Sequence, residues 1–109
     1  MIDLDFTFTS KCWVWQGKAT WVFITLPVDK SEEIKFFSEN LHGKRRGWGA
    51  VRVTASIGNT SWQTSIFPDG KRNAYILPLK LDVRKKEKIM ALTCTCKILL
   101  NAQISGRNN

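Results

Sequence analysis

Histidine, cysteine, tyrosine and acidic side chains are all scarce in this chain, and no long apolar run occurs. The 109 residues hold one histidine, one tyrosine, three cysteines and nine acids. Each scarcity removes a class of chemistry. A Cys-His pair or a Ser-His-Asp triad would have to form around His42. That residue stands beside Gly43 at the end of an expected helix, where a His favours the C-terminal dipole. The structural reading is preferred to the catalytic one. The odd set Cys12, Cys94 and Cys96 argues against a closed disulfide framework. Cys94 and Cys96 stand two apart on an expected strand, as buried alternation requires. Tetrahedral zinc needs four ligands, and only Cys12 and His42 remain to complete such a set. No metal and no cofactor is expected. Glu32, Glu33 and Glu39 read as the cap and solvated face of a helix, and no paired-acid site stands out. Gly47-Trp48-Gly49 precedes a strand, so it is no nucleotide-binding fingerprint.

Apolar runs reach only four residues, as at 21–24, far too short to span a bilayer. Asp3 and Asp5 stand where a secretory leader would carry basic residues. A reducing, cytoplasmic setting without membrane contact is the expectation. Nothing here points to an enzyme.

Aromatic bulk and positive charge are abundant. The chain is 43% hydrophobic, with five Trp and six Phe. One domain over residues 1–102 can bury a core, and residues 103–109 read as a polar tail. Lys and Arg number 17, giving a formal net charge of +8. Such a surface attracts phosphates, nucleic acid or anionic lipid heads.

The most legible stretch is residues 47–68. Two alternating runs flank Gly58-Asn59, a pair suited to a two-residue primed turn. That turn sets Ile57 opposite Thr60, Ala55 opposite Trp62, Val53 opposite Thr64 and Val51 opposite Ile66. Arg52, Thr54, Ser56, Ser61, Gln63 and Ser65 then share the other, polar face.

Upstream, Leu4, Phe6 and Phe8 alternate with Asp5, Thr7 and Thr9 as a half-buried strand. Cys12-Trp13-Val14-Trp15 continues it with apolar residues on both faces, through an expected bend or bulge near Ser10. Residues 20–26 return, again apolar on both faces, which implies burial on both sides. Pro27 ends this strand. Asp29 with Glu32 three residues on predicts a capped helix from about Lys30 to Gly43. Its apolar stripe is Ile34, Phe37 and Leu41. A strand at residues 74–77, a short helical turn at residues 83–89 capped by Asp82, and a last strand around residues 94–100 complete the chain. The fold class is mainly β. About six strands form a small closed or nearly closed barrel, with one helix plugging an end and one short helical turn.

Several linked motifs resemble one small bacterial family. They are Trp15-x-Gly-x-Ala-x-Trp-x-Phe-x-x-Leu-Pro, Gly47-x-Gly-x-Val-Arg-Val-Thr, Ile57-Gly-x-Thr-x-Trp-x-Thr-Ser-Ile-Phe, Tyr75-x-Leu-Pro-x-Lys and Val83-Arg-Lys-x-Glu. The family is the domain of unknown function DUF1905, and the resemblance runs from about Leu4 to Leu100. It implies a small closed β-barrel, sometimes fused to a bacteriocin-protection domain. It carries over no catalytic residue. Met90-Ala91-Leu92-Thr93 stands where family members tend to have a Gly-Asp turn.

Two sets of residues remain as candidate sites. Arg52, Thr54, Gln63 and Ser65 would bind a small polar ligand if the polar hairpin face lined the barrel interior or mouth. Lys44, Arg45, Arg46 and Trp48, with Arg84 and Lys85, would bind single-stranded nucleic acid if the basic loops converged. Lys71 and Arg72 form a further basic loop. The leading reading is a non-catalytic barrel module for a partner protein or small ligand. Nucleic-acid binding is the alternative.

Overall fold

A computed structural model describes residues 2–16, 20–42, 49–89 and 95–104. Lys44, Arg45, Arg46 and Trp48, Cys94, residues 90–93 and the end of the tail lie outside the described residues. Six strands and two helices follow in the order β1 (Ile2–Gln16), β2 (Thr20–Thr25), α1 (Val28–His42), β3 (Val51–Ile57), β4 (Thr60–Asp69), β5 (Ala74–Pro78), α2 (Leu81–Lys86) and β6 (Thr95–Ile104). The strands close an antiparallel barrel in the order β1-β2-β5-β4-β3-β6.

The β3–β4 hairpin has the register that its turn dictates, with Val51 opposite Ile66 and Ile57 opposite Thr60. Gly58 carries the positive φ of +57°, and Asn59 is not in the left-handed region. This is the first-position pattern of a type II′ turn. A side chain on Gly58 would also overlap the Glu87 carboxylate. That carboxylate accepts the Thr60 hydroxyl at 2.6 Å, so the end of α2 is tied to the hairpin.

No bulge interrupts β1. Its pairing with β6 runs unbroken from Ile2 to Lys11, and its pairing with β2 begins at Cys12. The strand changes partner while keeping its alternation. Ser10 falls at an otherwise apolar inward position, and its hydroxyl donates to the Thr25 carbonyl at 3.1 Å. The hydroxyl satisfies a carbonyl at the seam, so a polar residue there needs no extra residue to turn it out. The expected burial of β2 on both faces is also corrected. Val22 and Ile24 are buried, but Trp21 is 51% exposed. A one-layer barrel has nothing outside to cover that wall.

The inward faces fill the barrel. Ile24, Ile66, Tyr75, Leu77 and Ile98 are all fully buried in one core cluster. Small barrels are packed this way rather than hollow. Helix α1 begins at Val28, two residues before the expected start. Pro27 supplies the carbonyl that receives the Ser31 amide at 2.9 Å. Asp29 therefore lies inside the first turn, where its charge favours the helix dipole. Ile34 inserts into the core, and small Ser31 and Ser38 are buried beside it. The Ser31 hydroxyl accepts the Tyr75 amide at 3.0 Å, bonding the plug to the barrel rim. The last strand runs to Ile104, past the expected domain end at residue 102.

Burial, and then the charge of Glu39, push the Tyr75 phenol up from 10.0 to about 12. Below pH 10 the phenol is neutral in both the folded and unfolded chain. Between 10 and 12 the unfolded chain ionises first, so stability falls as pH rises through that window. Urea titrations at about pH 8 and about pH 11 are expected to give a lower midpoint at the higher pH. Tyr75→Phe is expected to flatten the difference.

Candidate functional site

The barrel carries an aromatic groove on its outer wall. Alternation along β1 turns Lys11, Trp13 and Trp15 outward while Cys12 is buried. Pairing sets Trp13 opposite Phe23 and Trp15 opposite Trp21. On the far side of β2, Phe23 faces Pro78 and Thr25 faces Ile76, and Ile76 in turn faces Phe67 of β4. These seven apolar residues, with Asp69, Lys71 and Arg72 of the β4–β5 turn, line a groove of about 580 Å³. The wall spans about 13 Å from Trp21 to Thr25 and about 14 Å from β1 to β4.

The rings are held in place. Trp13 Nε1 donates to Thr25 Oγ1 at 2.8 Å. Trp13 and Phe23 lie 5.0 Å apart between centroids, tilted by 34°. Trp21 and Phe23 lie nearly parallel, at 10° and 6.1 Å. Trp15, Trp21 and Phe67 are nevertheless 49%, 51% and 43% exposed. Together they form a contiguous exposed apolar surface, whereas exposed apolar residues on soluble proteins are commonly scattered singly.

Charge enters at the edges. The Arg72 guanidinium lies 3.7 Å from the centre of the Trp13 ring, a cation–π stack. Its Nη1 also bonds Asp69 Oδ2 at 2.8 Å, and Asp69 Oδ1 accepts the Lys71 amide at 3.0 Å. Burial pushes the Asp69 carboxyl up, but the Arg72 side chain and the Lys71 amide outweigh it and hold the carboxyl below its ordinary value. Asp69 is thus ionised and already engaged. Lys71 stays exposed at this edge. At the opposite edge Lys80 follows Pro78 in extended conformation and is exposed. Lys11 stands two residues before Trp13 on the same face.

The profile of a domain of unknown function, DUF1905, matches residues 8–91. The chain belongs to the DUF1905 family. Every residue of the aromatic groove lies within the matched span. No curated protein matches the sequence.

The DUF1905 barrel places the sequence-derived candidates elsewhere. Arg52, Thr54, Gln63 and Ser65 lie on the outer wall, because Val51, Val53, Thr64 and Ile66 take the inward positions of the same strands. Arg52 and Gln63 are exposed, and Thr54 borders a shallow groove with Asp5 and Asn101. These four do not line an interior pocket. Arg84 and Lys85 lie on α2, beside Lys88. Among the described residues no group of three His, Cys, Asp or Glu is placed to hold a metal ion. Nor is any described helix long and apolar enough to cross a membrane.

The groove residues were not singled out from the sequence. The signal was present as two adjacent strands, each apolar on both faces, joined by a short turn. In a small barrel only one of those faces can be inside.

Proposed function

We propose that this domain is a non-catalytic binding module, and that the outer aromatic groove takes single-stranded nucleic acid. The observation that carries the reading is the pairing of exposed, oriented indoles with cations at the groove edges. Bases have apolar π faces that stack on Trp15 and Trp21. Phosphates are anions that pair with Lys71 and Lys80. A β-sheet face with a few aromatics stacks two or three bases in known single-strand modules. The net charge of +8 raises the local concentration of any polyanion.

Titration of the intrinsic tryptophan fluorescence with short single-stranded RNA and DNA tests this. A saturable change is expected. With about three phosphates engaged, affinity is expected to fall roughly 20-fold between about 50 and 200 mM salt. Absence of binding at low salt would overturn the reading. One observation favours a second reading, a partner protein on the same face: the floor of Phe67, Ile76 and Pro78 is apolar. Binding to a protein there would be nearly independent of salt.

A further inference from the structure

Beside the aromatic groove lies a second, smaller one on α2. Leu81, Arg84, Lys85, Lys88 and Ile89 line about 290 Å³. Three of the five are cations and none is an acid. The nearby acids are already engaged. Asp82 Oδ1 accepts the Val83 amide at 3.0 Å, and Glu87 Oε2 accepts the Thr60 hydroxyl. Among the described residues no acid forms an ion pair with Arg84, Lys85 or Lys88. Arg84 Nε is buried and finds no hydrogen-bond partner among the described residues.

The backbone sets Lys88 beside the other two. Its φ is +54°, in the left-handed region. Glycine is the usual residue at such a helix end, since it pays no steric penalty. Here the Ile89 amide closes the turn on the Arg84 carbonyl at 2.9 Å. Ile89 is buried, which locks the turn. A lysine held in this conformation is costly by itself, and residues so held cluster at binding sites. The helix dipole favours cations at this end, but it does not require them around one groove.

The two grooves are neighbours. Pro78 lines the first and Leu81 the second. Only Leu79 and exposed Lys80 lie between Pro78 and Leu81, which are at most about 11 Å apart along the chain. We propose that a strand leaving the aromatic groove past Trp21 and Lys80 continues across α2, where Arg84, Lys85 and Lys88 take its phosphates. The inference rests on the nucleic-acid reading of the aromatic groove and extends it. The aromatic wall takes the bases, and the α2 groove takes backbone alone. It therefore adds affinity without sequence preference.

Two single-stranded oligonucleotides test it, of about three and about twelve nucleotides. Affinities are measured by fluorescence anisotropy for the intact chain, for R84Q/K85Q/K88Q and for K86Q, whose lysine is exposed on α2 but does not line the groove. The intact chain is expected to bind the longer strand at least about 10-fold tighter. The triple variant is expected to lose about 10-fold on the longer strand and under about 2-fold on the shorter, with a salt slope smaller by about 2. K86Q is expected to match the intact chain. If R84Q impairs folding, K85Q/K88Q carries the same test, because both lysines are exposed. Equal affinity of the intact chain for both lengths would overturn the extension and leave the aromatic groove standing. Equal losses in K86Q and K85Q/K88Q would overturn it as well, by reducing it to net charge. Failure of the intact chain to bind either strand would overturn both readings together.

Discussion

Replacing Trp15 and Trp21 together by alanine is expected to weaken single-strand binding at least roughly 30-fold. Stacking of one base on one aromatic contributes about 1–3 kcal/mol by alanine substitution, so two platforms account for about 2–6 kcal/mol. Each ring is about half exposed and faces away from the core. Trp13 is a poorer choice. Arg72 covers one face of its ring and Thr25 holds its indole nitrogen, so its loss would disturb the wall as well. The double variant removes part of the fluorescent reporter, and anisotropy of a labelled oligonucleotide is the suitable measurement. Leu99→Ala is the control. That side chain is 54% exposed on β6, away from the groove, and its loss is expected to leave affinity within about 2-fold. Undiminished binding by the double variant would move the site off this wall.

Ile34→Ala is expected to destabilise the domain by about 2–5 kcal/mol, the usual range for a buried Ile-to-Ala change. At about 4–8 °C per kcal/mol for a domain near this size, the melting temperature should fall by at least about 8 °C. The side chain is fully buried in the core cluster. The plug cannot settle to refill the space, because Ser31 bonds the helix to the amide of Tyr75. Phe36→Ala, two residues along the same helix, removes a larger side chain that is 61% exposed. It loses an edge-to-face contact with Phe37 at 5.3 Å, so the expected cost is about 0.5–1.5 kcal/mol, below that of Ile34→Ala. Thermal melts of the two variants side by side distinguish an integral plug from a helix laid loosely on the rim. Comparable shifts would refute the plug.

Local features were legible in the chain, and those that depend on closure were not. A two-residue turn at Gly58-Asn59 leaves one register that buries Val51, Val53, Ala55 and Ile57 together. The hairpin could therefore be written down residue by residue. The helix was legible from Pro27, from Asp29 with Glu32 three residues on, and from the stripe of Ile34, Phe37 and Leu41. Its start moved by two residues because Pro27, not Asp29, precedes the first helical residue. The continuous course of β1 was not legible. Ser10 breaks the apolar pattern, and the bond that makes it tolerable goes to Thr25 on another strand.

The candidate site divides in the same way. The basic segment at Arg84 and Lys85 was visible as charge. That its two acids bond Val83 and Thr60 instead of the lysines was not, because those bonds depend on how α2 packs against the hairpin. The polar hairpin face could be recognised as a face but not as the outer one by alternation alone, since period-2 patterning sorts side chains without saying which set is inside.

By itself, then, the sequence determined strand and helix identity, the hairpin register, the strong positive charge and membership of the DUF1905 family, all of which depend on neighbouring residues or on linked motifs. Only the tertiary structure decided that Trp13, Trp15, Trp21, Phe23 and Phe67 share one exposed wall. Those residues come from strands brought together by barrel closure. A closed single-layer sheet has one inside, so the second apolar face of β1 and β2 had to remain in water.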